Sequence, residues 1–197
     1  MRRKELEHII RVAAGLADSL EIVVVGSQSI LGALPDAPAE LLESMEADVY
    51  ALHAPEKSEV IEGAIGEGSP FETMYGYRAQ GVGPETAKLP IGWENRVVRV
   101  QNPNTDNKIG YCLEPHDMAA AKLVASREKD KPFVSAMLRL GVIQEATLAE
   151  RLTTLPIEPE HRERLRQWLG AEMERQRSMS PGGPGLGGRG RDSGPAR

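Results

Sequence analysis

Two acidic side chains one residue apart, Glu46 and Asp48, are the first candidates for chemistry. They fall in Ser44-Met45-Glu46-Ala47-Asp48-Val49-Tyr50, which reads as a strand over 47–52. Alternate side chains of a strand share a face. Glu46, Asp48 and Tyr50 are therefore expected on one face, with Ala47, Val49 and Ala51 in the core. Carboxylates about 7 Å apart along one face suit a shared hard cation such as Mg²⁺. The plainer alternative is a strand whose solvent face is acidic. Upstream, Gly26-Ser27 breaks a β-branched run, Ile22 to Val25. A turn of that kind presents backbone N–H groups to a phosphate.

A second constellation lies in Lys122, Arg127, Lys129 and Asp130. Lys122 is framed by Ala121 and Leu123 in an apolar turn. It either snorkels to solvent or pairs with a carboxylate such as Glu46 or Asp48. Arg127 and Asp130 are spaced to pair along a helix. His116 precedes a helix start and serves as a base or, with no partner in view, as a cap or surface group. The remaining histidines, His8, His53 and His161, show no ligand spacing, so no zinc site is expected. Trp93 packs a loop or stacks a base, and packing is preferred.

These residues need elements to hold them. Residues 3–18 read as an amphipathic helix, with Leu6, Ile9, Ile10, Ala13, Leu16 and Ala17 at helical spacing. Strand 21–25 follows, then a short apolar helix over 28–34 and a loop through Pro35 and Pro38. Lys57 to Ala64 reads as a short helix. The run Gly66-Glu67-Gly68-Ser69-Pro70 marks a loop that either caps a ligand or is plain surface. Loose alternation around Met74, Tyr75 and Tyr77 suggests a strand at 73–82. Residues 96–100 and 108–113 read as a hairpin around the turn signal Asn102 to Asn107. Pro115-His116-Asp117 opens a helix whose apolar side is Met118, Ala121, Val124 and Ala125. Lys122, Ser126 and Lys129 form a polar stripe on it. Helices over 133–140, 145–153 and 159–176 follow. Helices at both ends around a mixed sheet make an α+β or α/β chain.

Composition bounds the rest. The chain has 197 residues, 40% hydrophobic and 27% charged, which suits one globular domain over 1–177. Its net charge is −5, and the last twenty residues contribute three arginines against one aspartate. The acidity disfavours a broad nucleic-acid surface. Residues 178–197 hold seven glycines and three prolines and read as a disordered tail. The single cysteine, Cys112, excludes an internal disulfide and a cysteine zinc site. The start lacks the apolar core of a signal peptide, and no apolar run is long enough to span a membrane. A cytoplasmic protein is the expectation.

The order strand, Gly-Ser, helix, acidic-x-acidic strand resembles the nucleotidyltransferase superfamily. The stretches GSQSILG, SMEADVY, GYRAQGV, LPIGWENR and YCLEPHDMAAAKLVASREKDKPFV resemble its uncharacterised bacterial group DUF6036, over roughly residues 5–170. The resemblance implies a Mg²⁺-dependent transferase. It moves a nucleotidyl group from an NTP to RNA, protein or a small molecule, or belongs to a toxin–antitoxin pair with an antitoxin partner. The rival is a non-catalytic member that binds a nucleotide or protein partner. Glu46 and Asp48 would hold one or two Mg²⁺ ions. Gly26 and Ser27 would hold the triphosphate, and Lys122 would face the phosphates. A third carboxylate on a later strand is not identifiable; Glu67 and Glu72 are nearest.

Overall fold

The computed structural model describes residues 1–179. Five strands form one mixed sheet: β1 (Glu21–Val25), β2 (Glu46–Ala51), β3 (Arg78–Gly81), β4 (Val98–Val100) and β5 (Ile109–Cys112). The spatial order is β3-β2-β1-β5-β4. β1 pairs antiparallel with β2 and parallel with β5, while β2 pairs parallel with β3 and β4 antiparallel with β5. β1 is central, which is why Ile22, Val23, Val24 and Val25 are all buried. The α+β class expected from the sequence is the class observed.

Helix α1 (Arg3–Leu16) lies across β1, β2, β3 and β5. Its apolar stripe, Leu6, Ile9, Ile10, Ala13 and Ala14, is fully buried. A side chain at Gly110 of β5 would meet Ile10 Cδ1 at 2.5 Å, so glycine permits this close helix–strand approach. α2 (Ile30–Ala33) is a single turn after a 3₁₀ turn at Ser27–Ser29, shorter than the expected 28–34. α3 (Ser58–Ile65) packs on β3.

The strand expected at 73–82 is corrected. Its first part is α4 (Pro70–Tyr75), and only 78–81 is strand. Local chemistry explains this. Ser69 Oγ accepts from the Glu72 N–H at 3.1 Å, Pro70 occupies the first turn, and Gly76 ends the helix in the left-handed region at φ 75°. The Gly66–Pro70 run thus leads into a helix. The aromatics Phe71, Tyr75 and Tyr77 gather around His8, whose Nδ1 is 2.7 Å from Tyr77 Oη.

The hairpin is present, with Asn102 Oδ1 accepting from the N–H groups of Asn104 and Thr105 in its turn. Four helices follow: α5 (Pro115–Ala125), α6 (Asp130–Arg139), α7 (Glu145–Thr153) and α8 (Pro159–Met179). α6 begins before Pro132, not after it. Proline is tolerated in a first turn, where its missing N–H has no helical partner. α5 packs against α6 and α7 and so buries Met118, Ala119, Ala120 and Leu123; of the expected apolar side, Ala121 and Val124 are only half-buried and Ala125 is exposed. It ends at Ala125, with Ser126 left-handed at φ 50°, so Lys122, Ser126 and Lys129 do not share one helical stripe. The expected tail, 178–197, lies outside the described residues except for Ser178 and Met179, which close α8. No described helix is long and apolar enough to cross a membrane.

Candidate functional site

The site is built where β1 ends. Val25 pairs with Asp48, and the chain then turns at Gly26 (φ 67°, ψ −169°), a backbone conformation confined to glycine. Ser29 Oγ donates to the Gly26 carbonyl at 2.8 Å and closes the turn. On the other side of β2, the parallel partner β3 sets Arg78 against Glu46 and Gln80 against Asp48. Ala47, Val49 and Ala51 are fully buried beneath, as the alternation predicts. Tyr50, expected on the acidic face, is also buried, because only the first half of β2 borders the open cleft.

Gly26, Ser27, Glu46, Asp48 and Lys122 all line one cleft of about 350 Å³. Gln80, Arg127 and Lys129 line it too. Its volume falls in the small-molecule range of roughly 300–1,000 Å³. Asp48 is its electrostatic centre. Burial, and then the charge of Glu46, push its carboxyl up to about 6. The positive charges of Lys122, Arg127 and Lys129 pull the other way. Its carboxylate accepts no hydrogen bond from the described residues.

Glu46 is held differently. Its Oε2 accepts from Arg78 Nε at 2.8 Å and lies 2.6 Å from Arg78 Nη2. Arg78 Nη1 also reaches Glu72 Oε1 at 2.6 Å, and that contact holds the Glu72 carboxyl below its ordinary range. Glu67 is 3.9 Å from the same guanidinium. Neither Glu67 nor Glu72, the two options for a third carboxylate, lines the cleft. The position opposite Asp48 belongs to the neutral Gln80.

Lys122 takes neither β2 carboxylate as its partner. Its Nζ lies 3.1 Å from Asp130 Oδ1 and 4.8 Å from the centroid of the Phe133 ring. Asp130 also accepts from the Arg127 backbone N–H at 3.0 Å, so the expected Arg127–Asp130 contact is a backbone one. With Asp130 buried in this way, the ammonium is fixed at the mouth of the cleft.

The remaining candidates are structural. His116 Nε2 accepts from the Gln144 N–H at 3.0 Å, which puts the ring proton on Nδ1, donated to Glu114 at 2.6 Å. His116 therefore joins the start of α5 to the start of α7. Asp117, fully buried, accepts from Arg96 at 2.8 and 3.0 Å and lies 3.2 Å from Arg151 Nε. Trp93 is half-buried against the core. Cys112 is buried, and burial pushes its thiol up to about 12. Arg78 and Gln80 are not legible as site residues in the sequence, and Asp130, expected to pair with Arg127, pairs with Lys122. Their relevance depends on strand pairing and on a helix junction.

The residues fit a divalent cation in a limited way. Among the described residues no three His, Cys, Asp or Glu side chains cluster as a metal site. Two carboxylates do face one cleft. Asp48 is unbonded and Glu46 keeps Oε1 beyond the Arg78 contacts. A hard cation held there would take its other oxygens from phosphate and water.

No curated protein matches the chain, and no solved structure does. A family model described as a nucleotidyltransferase of unknown function, DUF6036, matches residues 4–169, which takes in every residue of the cleft. On that match over most of its length, the chain belongs to the DUF6036 nucleotidyltransferase family.

Proposed function

We propose that the cleft transfers a nucleotidyl group from an NTP to an acceptor hydroxyl with the help of Mg²⁺. The acceptor hydroxyl gives its proton to water as its oxygen forms a bond to the α-phosphorus. The bond from that phosphorus to the β-phosphate bridging oxygen breaks, and pyrophosphate leaves with the electron pair. The observation that carries the reading is Asp48: a half-buried, unbonded carboxylate raised to about 6, facing Lys122, Arg127 and Lys129 across the cleft. Asp48 and Glu46 Oε1 would hold the cation. Bound Mg²⁺ would neutralise phosphate charge and lower the pKa of the attacking hydroxyl. The backbone at Gly26 and the Ser27 hydroxyl would receive phosphate oxygens, and Lys122 and Lys129 would offset their charge. Phosphoryl chemistry is mostly positioning and neutralisation, so this small set suffices.

Incubation with each labelled NTP and Mg²⁺, with and without total RNA or protein, tests the reading. Label should pass to an acceptor with the wild type and not with Asp48→Asn. RNA, protein and small molecules are the acceptor classes, and a toxin–antitoxin role rests on the family resemblance alone.

A second reading is a non-catalytic member that binds a nucleotide or a protein partner. It is favoured by the two ion pairs that occupy Glu46 and Lys122. Mg-NTP binding without transfer to any acceptor would select it.

A further inference from the structure

Next to the cleft is a second cavity of about 290 Å³. The two share Ser27, Ser44, Lys122 and Lys129. A nucleotide with phosphates at Ser27 and Lys122 is therefore already at the entrance of the second cavity. Its apolar walls are Leu41, Pro132, Phe133 and Ala136, and Phe133 offers an aromatic ring. The apolar end of the first cleft, at Leu113, Met118 and Ala121, has no aromatic side chain. Base stacking favours the slot with the ring.

Two carboxylates border the slot. Glu40 is taken, since both its oxygens accept from Arg139 Nη2 at 2.6 Å, which ties the Ala39–Leu41 turn to α6. Glu43 is exposed and makes no ion pair or hydrogen bond among the described residues. A carboxylate has two oxygens that accept side by side. Guanine matches this with adjacent N1–H and N2–H donors. Adenine and cytosine each place one donor beside a ring acceptor that repels the carboxylate, and uracil places its single N–H between two carbonyls.

Building on the transferase reading, we infer that the slot takes the nucleobase and that Glu43 makes guanine the preferred base. Titration calorimetry of the full chain with GTP, ATP, CTP and UTP, each with Mg²⁺, tests this with the wild type, Glu43→Gln and Phe133→Leu. GTP should bind the wild type about tenfold more tightly than the others, the size of one bidentate base contact. Glu43→Gln should bring GTP to the level of the other three, because an amide replaces one acceptor with a donor. Phe133→Leu should weaken all four alike. Equal wild-type affinities, a ranking that survives Glu43→Gln, or a Phe133→Leu protein that binds as the wild type does would overturn the inference and leave the transferase reading intact. Failure of the wild type to bind any NTP would overturn both.

Discussion

The carboxylate of Asp48 occupies the space that a side chain on Gly26 would need. A Cβ at Gly26 would lie 1.8 Å from Asp48 Oδ2 and 2.9 Å from its Cγ. The absence of that atom, together with the φ 67° turn, lets β2 present Asp48 over the end of β1. Gly26→Ala should therefore cost about 1–3 kcal/mol for the backbone conformation alone. The clash adds to this. Combining it with Asp48→Ala removes the clash and not the backbone strain, so the double mutant should be more stable than additivity predicts. Denaturant unfolding of the four-member cycle measures this.

Asp48 also sets a pH dependence. Its folded value, about 6, lies above its ordinary value of 3.8. The folded state thus holds the proton more tightly than the unfolded state does. The stability from this group is fully present below pH 3.8 and is lost as the pH rises through 6. The loss is on the order of 3 kcal/mol by linkage. Asp48→Asn should therefore be more stable than the wild type at pH 7, with the difference shrinking to nothing near pH 4. Urea midpoints across that range would show it, and a mutant less stable at pH 7 would refute it.

The Lys122–Asp130 pair should behave oppositely. Side-chain exposure is 13% for Lys122 and 2% for Asp130, so removing one charge strands the other in a poorly solvated place. Asp130→Asn should lower stability by about 3–5 kcal/mol. Lys122→Met combined with it should cost less than the sum of the single changes. Because Lys122 is anchored on Asp130, the Asp48→Asn change leaves that pair intact.

Ligand linkage offers a fourth thermodynamic check. Mg²⁺ with an NTP at a hundredfold excess over the dissociation constant should stabilise the wild type by about 2.7 kcal/mol. Asp48→Asn should lose that gain, since a neutral amide is a poor ligand for a hard cation. Melting curves with and without Mg-NTP report it, and an equal gain in both proteins would remove Asp48 from the site.

Local sequence alone determined a good deal of this protein. The unbroken β-branched run Ile22–Val25 reads as a buried strand, and it is the centre of the sheet. Alternation in β2 separated Ala47, Val49 and Ala51 from the acidic face. Helix α1 followed from apolar spacing, which is a property of neighbouring residues. Residues 73–75, expected as strand, are helical because the cap at Ser69 and the stop at Gly76 outweigh an apparent alternation of aromatics. Tertiary structure decided who faces whom. Glu46 meets Arg78 across 32 positions because β3 adds to β2 in parallel register, and no local pattern encodes that register. Lys122 meets Asp130, not Asp48, because α5 stops at Ala125 and α6 folds back beside it. The carboxylates and the lysine were legible as residue types. Which of them pair, and which one is left unbonded in the cleft, depends on desolvation and distance, quantities that arise only when separate elements pack together.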